Sequence, residues 1–316
     1  MKLPVPFLQL PLRFDAGALA AEVLALGVEC WRPHPNGLPG NEALTLITTG
    51  GDPDSDEVAG PMRPTPYLKR CGYLRQVLSC LGATWGRTRL MKLSGQAEVT
   101  PHVDLNYYWR ERMRVHVPIL TQPTVRFACG EAEINMAAGE CWIFDTWRTH
   151  RVVNDAEQPR IHLVADTVGG ETFWEHMAGA KPPEANDPGW QARHVPPAAD
   201  APVALDYESV NLPAVMSPWE VREHIFFLLG ESEQTVQLQR VAQSLMSFAR
   251  RWHALWSCYG EAQDGLPRYR ALLDEVHAQL RAEADGIALR NGASLLQALN
   301  NLVLGVALGA PAPAAA

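Results

Sequence analysis

The sequence predicts a mainly β protein with helices: a double-sheet jelly roll within the first 180 residues, then a small all-α module. Two observations predict it. From residue 87 to 168, short apolar runs are broken by Gly130 and the Ala138–Gly139 pair, the pattern of closely spaced strands and turns. From residue 217 onward, apolar residues recur at a 3.6-residue period instead.

In order, residues 7–14 read as an opening strand and 16–26 as a short Ala/Leu helix. Residues 31–42, rich in Pro, Gly and Asn, read as loop, and 44–49 as a strand. The stretch 50–66 is crowded with acids, prolines and glycines. It is expected to be a mobile loop that orders over a site as a lid. Residues 73–81 have helical spacing. Strands follow at 87–93, 99–104, 112–120, 124–129, 131–136, 141–145, 150–154 and 160–168. The Pro-rich segment 181–216 lacks periodicity and reads as a linker or wrapping arm. Ser217-Pro218-Trp219-Glu220 combines an N-cap Ser, Pro at N1 and Glu at N3, which opens a helix. Leu238, Val241, Leu245, Phe248 and Trp252 share one helical face, and Tyr269–Leu280 and Leu295–Leu302 repeat the pattern. The expected division is 1–180 double-stranded β domain, 181–216 linker, 217–308 helical accessory domain without catalytic residues, and 309–316 disordered tail.

The chain has 316 residues, 47% hydrophobic and 20% charged, with a net charge of −8. That charge argues against nucleic acid or anionic membrane as a main partner. No apolar run is long enough to span a bilayer, and the N-terminus has no signal-peptide pattern. A cytoplasmic protein is expected, with no membrane partner. Six scattered cysteines without a C-x-x-C pair fit reduced, mostly buried thiols better than a disulfide framework or zinc cage.

The chemistry-bearing residues are few. His102 and Asp104 form an H-x-D pair that a strand would place on one face. His150, on a later strand, completes a two-His, one-carboxylate set. Such a facial triad leaves half of an octahedral iron open for cosubstrate and O2. Asp145 would hydrogen-bond the 147–149 turn, either merely capping it or also placing His150. Arg160 alternates with apolar Ile161 and Leu163, so it turns to the same face as His162. A buried Arg needs an anion, either a protein carboxylate or a ligand's. His162 is thus a site neighbour or a satisfied core His. Arg114 and His116 face away from Val115 and Val117, either into the interior or onto a solvated sheet face. Together these positions point to a non-haem Fe(II), 2-oxoglutarate-dependent oxygenase. The alternatives are a cupin-type metal enzyme that does not use 2-oxoglutarate, and a non-catalytic β-fold binding module.

Residues 89–104 (RLMKLSGQAEVTPHVD), 114–118 (RVHVP), 139–145 (GECWIFD), 150–154 (HRVVN) and 160–166 (RIHLVAD) together resemble the aspartyl/asparaginyl β-hydroxylase family of 2-oxoglutarate oxygenases. That family also includes bacterial proline hydroxylases. The resemblance implies a double-stranded β-helix (cupin-like) core and Fe(II) held by His102, Asp104 and His150. It implies Arg160 on the distal carboxylate of 2-oxoglutarate, and His116 with Arg114 near its other end. Arg89 is a further cofactor-binding candidate. The cofactor and cosubstrates would be Fe(II), 2-oxoglutarate and O2. Family members closest to the mammalian enzyme have Gly at the place of Asp104, so this chain looks more like the proline-hydroxylase side. The expected reaction is hydroxylation of an unactivated C–H. The substrate would be a small amino acid, or an aspartyl, asparaginyl or prolyl residue of a peptide or protein. The oligomeric state is left open.

Overall fold

The computed structural model describes residues 1–35, 37–199 and 203–309. Contacts divide the chain into two units: Met1–Val103 with Glu111–Asn211, and Asp104–Arg110 with Leu212–Ala316.

The first unit is built on strands β1 (Phe7–Phe14), β2 (Arg32–Pro33), β3 (Asn41–Thr49), β4 (Met62–Pro64), β5 (Thr84–Leu93), β6 (Ala97–His102), β7 (Met113–Leu120), β8 (Val125–Cys129), β9 (Ala132–Ile134), β10 (Glu140–Phe144), β11 (His150–Asn154), β12 (Arg160–Gly169), β13 (Arg193–Val195) and β14 (Asp206–Tyr207). A large sheet runs β13-β1-β10-β7-β12-β5-β3-β2, and a small one β6-β11-β8-β9. These two sheets form the expected double-stranded β-helix. One apolar cluster joins them: Phe7, Leu93, Trp142 and Phe144 come from the large sheet, Phe127, Cys129 and Val152 from the small one. The centre of the large sheet reads as near-continuous burial, because both of its faces are covered. Helix α1 (Ala16–Leu24), capped by Asp15, packs on β7, so Val115 and Val117 are buried on that side. Arg114 and His116 therefore point to the interior. Gly139 sits at φ 81, and a Cβ there would meet the Phe14 carbonyl oxygen at 2.2 Å, so the turn before β10 demands glycine.

Three expectations are corrected. Strand β6 ends at His102, so Asp104 lies in the connection beyond it and does not share a strand face with His102. The segment after residue 181 is not a free linker. Strand β13 pairs in parallel with β1, and β14 with β5. Glu208 then binds Arg112 twice, at 2.8 and 2.9 Å.

The loop 50–66 is not a loose lid either. Its carbonyls accept from Thr45, Thr48 and Thr49 hydroxyls. Arg32 pairs with Asp56 at 2.6 Å, and Asn211 bonds both polar groups of Gly60. Backbone polar groups that find protein partners lose the drive to stay in water. The Gly50 amide, 2.8 Å from the Pro61 carbonyl, and the Gly60 amide are therefore expected to show hydrogen-exchange protection in the substrate-free protein. Protection that arises only on adding substrate would restore the lid.

The second unit contains helices α4 (Tyr107–Arg110), α6 (Pro218–Glu231), α7 (Val236–Tyr259), α8 (Leu266–Glu283) and α9 (Leu295–Leu299); α2 (Pro66–Lys69), α3 (Gly72–Leu81) and α5 (Glu171–Ala178) belong to the first. The Ser217 hydroxyl caps α6 by accepting from the Glu220 amide. The apolar stripe Leu238, Val241, Leu245, Phe248 and Trp252 is buried within this unit against α6 and α8, and the Trp252 indole donates to the Met216 carbonyl. Of the expected tail, 310–316 lie outside the described residues; the Gly309 amide bonds Ala214. Among the described residues no helix is long and apolar enough to cross a membrane. The six cysteines are free, with Cys71, Cys129 and Cys141 buried and Cys258 exposed.

Candidate metal centre

The antiparallel pairing of β11 with β6 sets His150 directly opposite His102. Their rings lie 4.2 Å apart between centroids. Each ring is oriented by its own strand: His102 Nδ1 is 2.8 Å from the Thr100 carbonyl, and His150 Nδ1 is 2.9 Å from the Arg148 carbonyl. A carbonyl only accepts, so both Nδ1 atoms carry the hydrogen and both Nε2 atoms are left with a lone pair. That is the tautomer a metal ligand needs, fixed by an outer hydrogen bond. With Asp104 they form a group whose ligand atoms all lie within 4.8 Å of one another. The donor set of two imidazoles and one carboxylate suits Fe(II). His150 is buried, Asp104 half-buried and His102 exposed. The Asp145 carboxylate accepts from the Trp147 amide and from Arg148 Nε. It thereby shapes the turn whose Arg148 carbonyl holds His150, the second of the roles the sequence left open.

A row of basic side chains lines the inner face of β12, β7 and β5. At one end Arg160 is 4% exposed, and its Nη2 donates to His162 Nδ1 at 2.7 Å. Burial brings its pKa down to about 9, with no acidic neighbour opposing that shift, so the guanidinium is still charged at neutral pH. His162 and His116 have adjoining Nδ1 atoms 3.5 Å apart. Burial first, then Arg160, depresses both imidazoles well below the usual range; they are neutral at pH 7. Arg160 Nε, His162 Nε2 and His116 Nε2 are buried without a hydrogen-bond partner. Buried polar atoms are rarely left so. His162 Nδ1 accepts from Arg160, so His162 Nε2 carries the hydrogen, and an oxygen-rich anion such as 2-oxoglutarate would accept from it and from Arg160 Nε. Neutral His116, whose Nδ1 donates to His162, keeps an acceptor at Nε2.

Farther along, Asp166 pairs with Arg114 at 2.8 Å. Arg160 and Asp166 are six residues apart on one strand, on the order of 20 Å. Burial alone would raise the Asp166 pKa, but Arg114, Arg87 and Arg89 outweigh it and hold the carboxyl below its ordinary value. Arg89 is depressed by burial and then by Arg87 and Arg114, and its Nη1 is buried without a partner. Asp166 thus opposes three guanidinium groups, and Asp56 is a second acid acting on Arg89. The structure brings Arg160, His162 and His116 together, but separates Arg114 and Arg89 from Arg160 along the strands.

The sequence reading missed His34, Arg87 and Asp166. His34 sits on a loop without ligand spacing. Its pKa is lowered to about 4 by burial, then by Arg89 and Arg87, with His102 among the smaller causes. It therefore lies within electrostatic reach of both the guanidinium cluster and a triad histidine. Arg87 was legible in principle: it alternates with Arg89 on β5, two residues apart and on one face.

No curated protein matches the chain. Among solved structures, a Pseudomonas putida prolyl-4-hydroxylase is 14% identical, covering 53% of this chain and 94% of that one, at a TM-score of 0.35. A 2OG-Fe(II) oxygenase family oxidoreductase from Burkholderia pseudomallei is 12% identical, with coverages of 49% and 80% and a TM-score of 0.33. A Trichoplax adhaerens prolyl hydroxylase, in complex with a hypoxia inducible factor peptide fragment, is 12% identical, with coverages of 51% and 80% and a TM-score of 0.34. The segment 44–169, which holds every side chain of the metal group and the basic row, matches the family model described as aspartyl/asparaginyl β-hydroxylase.

Proposed function

We propose that the protein is an Fe(II)- and 2-oxoglutarate-dependent dioxygenase that hydroxylates an unactivated C–H of a carboxylate-bearing substrate. That substrate is an amino acid, or an aspartyl, asparaginyl or prolyl residue with a carboxylate close by in a peptide or protein. His102, Asp104 and His150 would hold Fe(II). Arg160 would pair with the distal carboxylate of 2-oxoglutarate, with His162 lending its Nε2 hydrogen and His116 holding His162 in that tautomer. The bound metal would supply the redox chemistry of O2 activation and C–H oxidation. The protein's own residues bind and orient. The neutral imidazoles keep the cosubstrate end of the pocket from collecting further charge. The walls of Phe127, Phe144 and Trp142 exclude water and strengthen every charge pairing inside.

The observation that carries the substrate class is the second basic cluster. Arg87, Arg89 and Arg114 have Asp166 among them, and Arg89 stands in register with Val164, roughly 13 Å along the strand from Arg160. Asp166 opposes all three and Asp56 opposes Arg89; a ligand carboxylate would add to that attraction. Arg114 and Arg89 are therefore assigned to the prime substrate, and no longer to the near end of 2-oxoglutarate as the resemblance implied.

A screen of amino acids, peptides and their amides and methyl esters tests this. Succinate release that needs Fe(II) and 2-oxoglutarate is followed alongside a +16 product by mass spectrometry. Acids are expected to be turned over and their neutral esters to fail; equal turnover of ester and acid would remove the carboxylate requirement. Arg89→Gln is expected to raise KM for the prime substrate at least about tenfold, a loss near 1.4 kcal/mol. The apparent constant for 2-oxoglutarate should stay where it was.

A further inference from the structure

The acid-rich segment 50–66 is pinned across the sheet face that carries the basic row. Thr45 stands in register with Arg89 across β3 and β5, so the two side chains leave the same face. The Thr45 hydroxyl donates to the Pro53 carbonyl at 2.7 Å, which holds the segment against this face. Arg32 on β2 is in register with Ala43, two residues before Thr45, and so projects from that face as well. It ties the segment down again: Nη1 donates to the Asp54 carbonyl at 3.0 Å, and Nη2 to Asp56 Oδ1 at 2.6 Å. The Asp56 carboxylate is thereby fixed on the side from which Arg89 projects. Its charge acts on both Arg89 and His34, opposing the fall in pKa that burial causes in each. All of these residues belong to the first unit. Among the described residues Asp56 is bonded through Oδ1 alone, and 36% of its side chain is exposed, so a small ligand can reach the other oxygen. Arg89 is the counterpart: it is 7% exposed, and its Nη1 is buried without a hydrogen-bond partner.

We propose that Asp56 is a specificity-determining residue that receives an ammonium group of the prime substrate while Arg89 receives its carboxylate, so that the substrate is a free α-amino acid and not a residue within a peptide. The two groups offer opposite charges on one face, and an α-amino acid carries the matching pair on one carbon. A carboxylate accepts from more than one donor, so Oδ1 can stay on Arg32 while the second oxygen takes the ammonium. A charged donor gains more there than a neutral one. Peptide bonds remove both charges: the ammonium becomes an uncharged amide N–H, and the carboxylate becomes a carbonyl. Arg32 acts on the substrate through Asp56 alone, as a positioning residue. This inference rests on the assignment of Arg89 to the prime substrate.

The full-length protein with Fe(II) and 2-oxoglutarate is assayed for succinate release with each of the twenty L-amino acids. The best of them is then compared with its methyl ester and with its 2-hydroxy acid (the ring-oxygen analogue for proline), in which a neutral oxygen stands where the ammonium was. The amino acid is expected to exceed the 2-hydroxy acid in kcat/KM by at least about tenfold. Asp56→Asn should raise KM for the amino acid about tenfold, more than it lowers kcat, and bring the two acids within a few-fold of each other. Asp56→Glu should restore part of the preference. A purely structural role, as a tie for Arg32, would lower both acids alike and leave their ratio intact. Equal turnover of amino acid and 2-hydroxy acid by the wild type overturns the inference and leaves the carboxylate reading standing. So does an unchanged ratio in Asp56→Asn, or turnover of peptides where all twenty amino acids fail. Equal turnover of the methyl ester and the free acid overturns the carboxylate reading and this inference with it. If Asp56→Asn does not fold, the wild-type comparison decides.

Discussion

His150→Ala is expected to abolish stoichiometric Fe(II) binding and to lower 2-oxoglutarate turnover by orders of magnitude. Of the three ligands His150 is the buried one. Its strand fixes it from two sides, opposite His102 on β6 and opposite Cys129 on β8. Its Nδ1 is committed to the Arg148 carbonyl, so the lone pair on Nε2 is aimed before any metal arrives. Removing it leaves an exposed imidazole and a half-buried carboxylate, and water would have to fill the vacated position. Loss of a mere outer partner of a ligand costs roughly 10–100-fold in affinity; loss of the ligand itself should exceed that. Iron content by metal analysis and succinate formation check the two halves independently. Wild-type iron content in His150→Ala would show that the triad is misassigned. A milder companion, Asp145→Asn, should loosen the 147–149 turn and give an intermediate loss, because the turn rather than the ligand is disturbed.

The fold was legible where period and turn chemistry agreed. Strands β1 and β11 begin and end where the alternation does, and Gly130 and Gly139 sit at turns with positive φ. The metal group was legible for a partly different reason than the sequence suggested. His102 and His150 are strand residues in register, but Asp104 escapes the period-two rule because β6 stops short of it. Asp104 lies in the connection between β6 and α4, where no alternating pattern assigns a side chain to a face. The same limit hid Asp166 and His34. Asp166 looks like one more acid on an apolar strand until β7 sets Arg114 opposite it. The dispersal of loop histidines gives no hint that one of them adjoins Arg89. The loop 50–66 misled in the opposite sense: its composition is that of a mobile segment, while threonines of β3 and Asn211 tie it down.

Arg160→Ala is expected to raise the apparent constant for 2-oxoglutarate at least about tenfold, with Arg160→Lys recovering only part of the loss. Truncating one partner of a buried, hydrogen-bonded charge pair costs roughly 2–5 kcal/mol, and tenfold is 1.4 kcal/mol of it. The environment of Arg160 supports the larger end. It is buried and orders His162 through Nη2, while its Nε has no protein acceptor; a carboxylate placed against it would gain a charge-assisted bond and relieve a buried donor at once. Lysine keeps the charge but loses the planar fork, so it cannot hold both His162 and the ligand in the same geometry. The comparison with Arg89→Gln makes the result diagnostic. Arg89 pairs with Val164, four residues or roughly 13 Å along the strand from Arg160, and the two variants are expected to separate by ligand. Arg160→Ala should therefore move the 2-oxoglutarate constant and leave the prime-substrate KM nearly in place, while Arg89→Gln does the reverse. If Arg160→Ala keeps its 2-oxoglutarate dependence and Arg89→Gln loses it, the two ends exchange roles: cosubstrate then sits against Arg87, Arg89 and Arg114, and the prime substrate against Arg160.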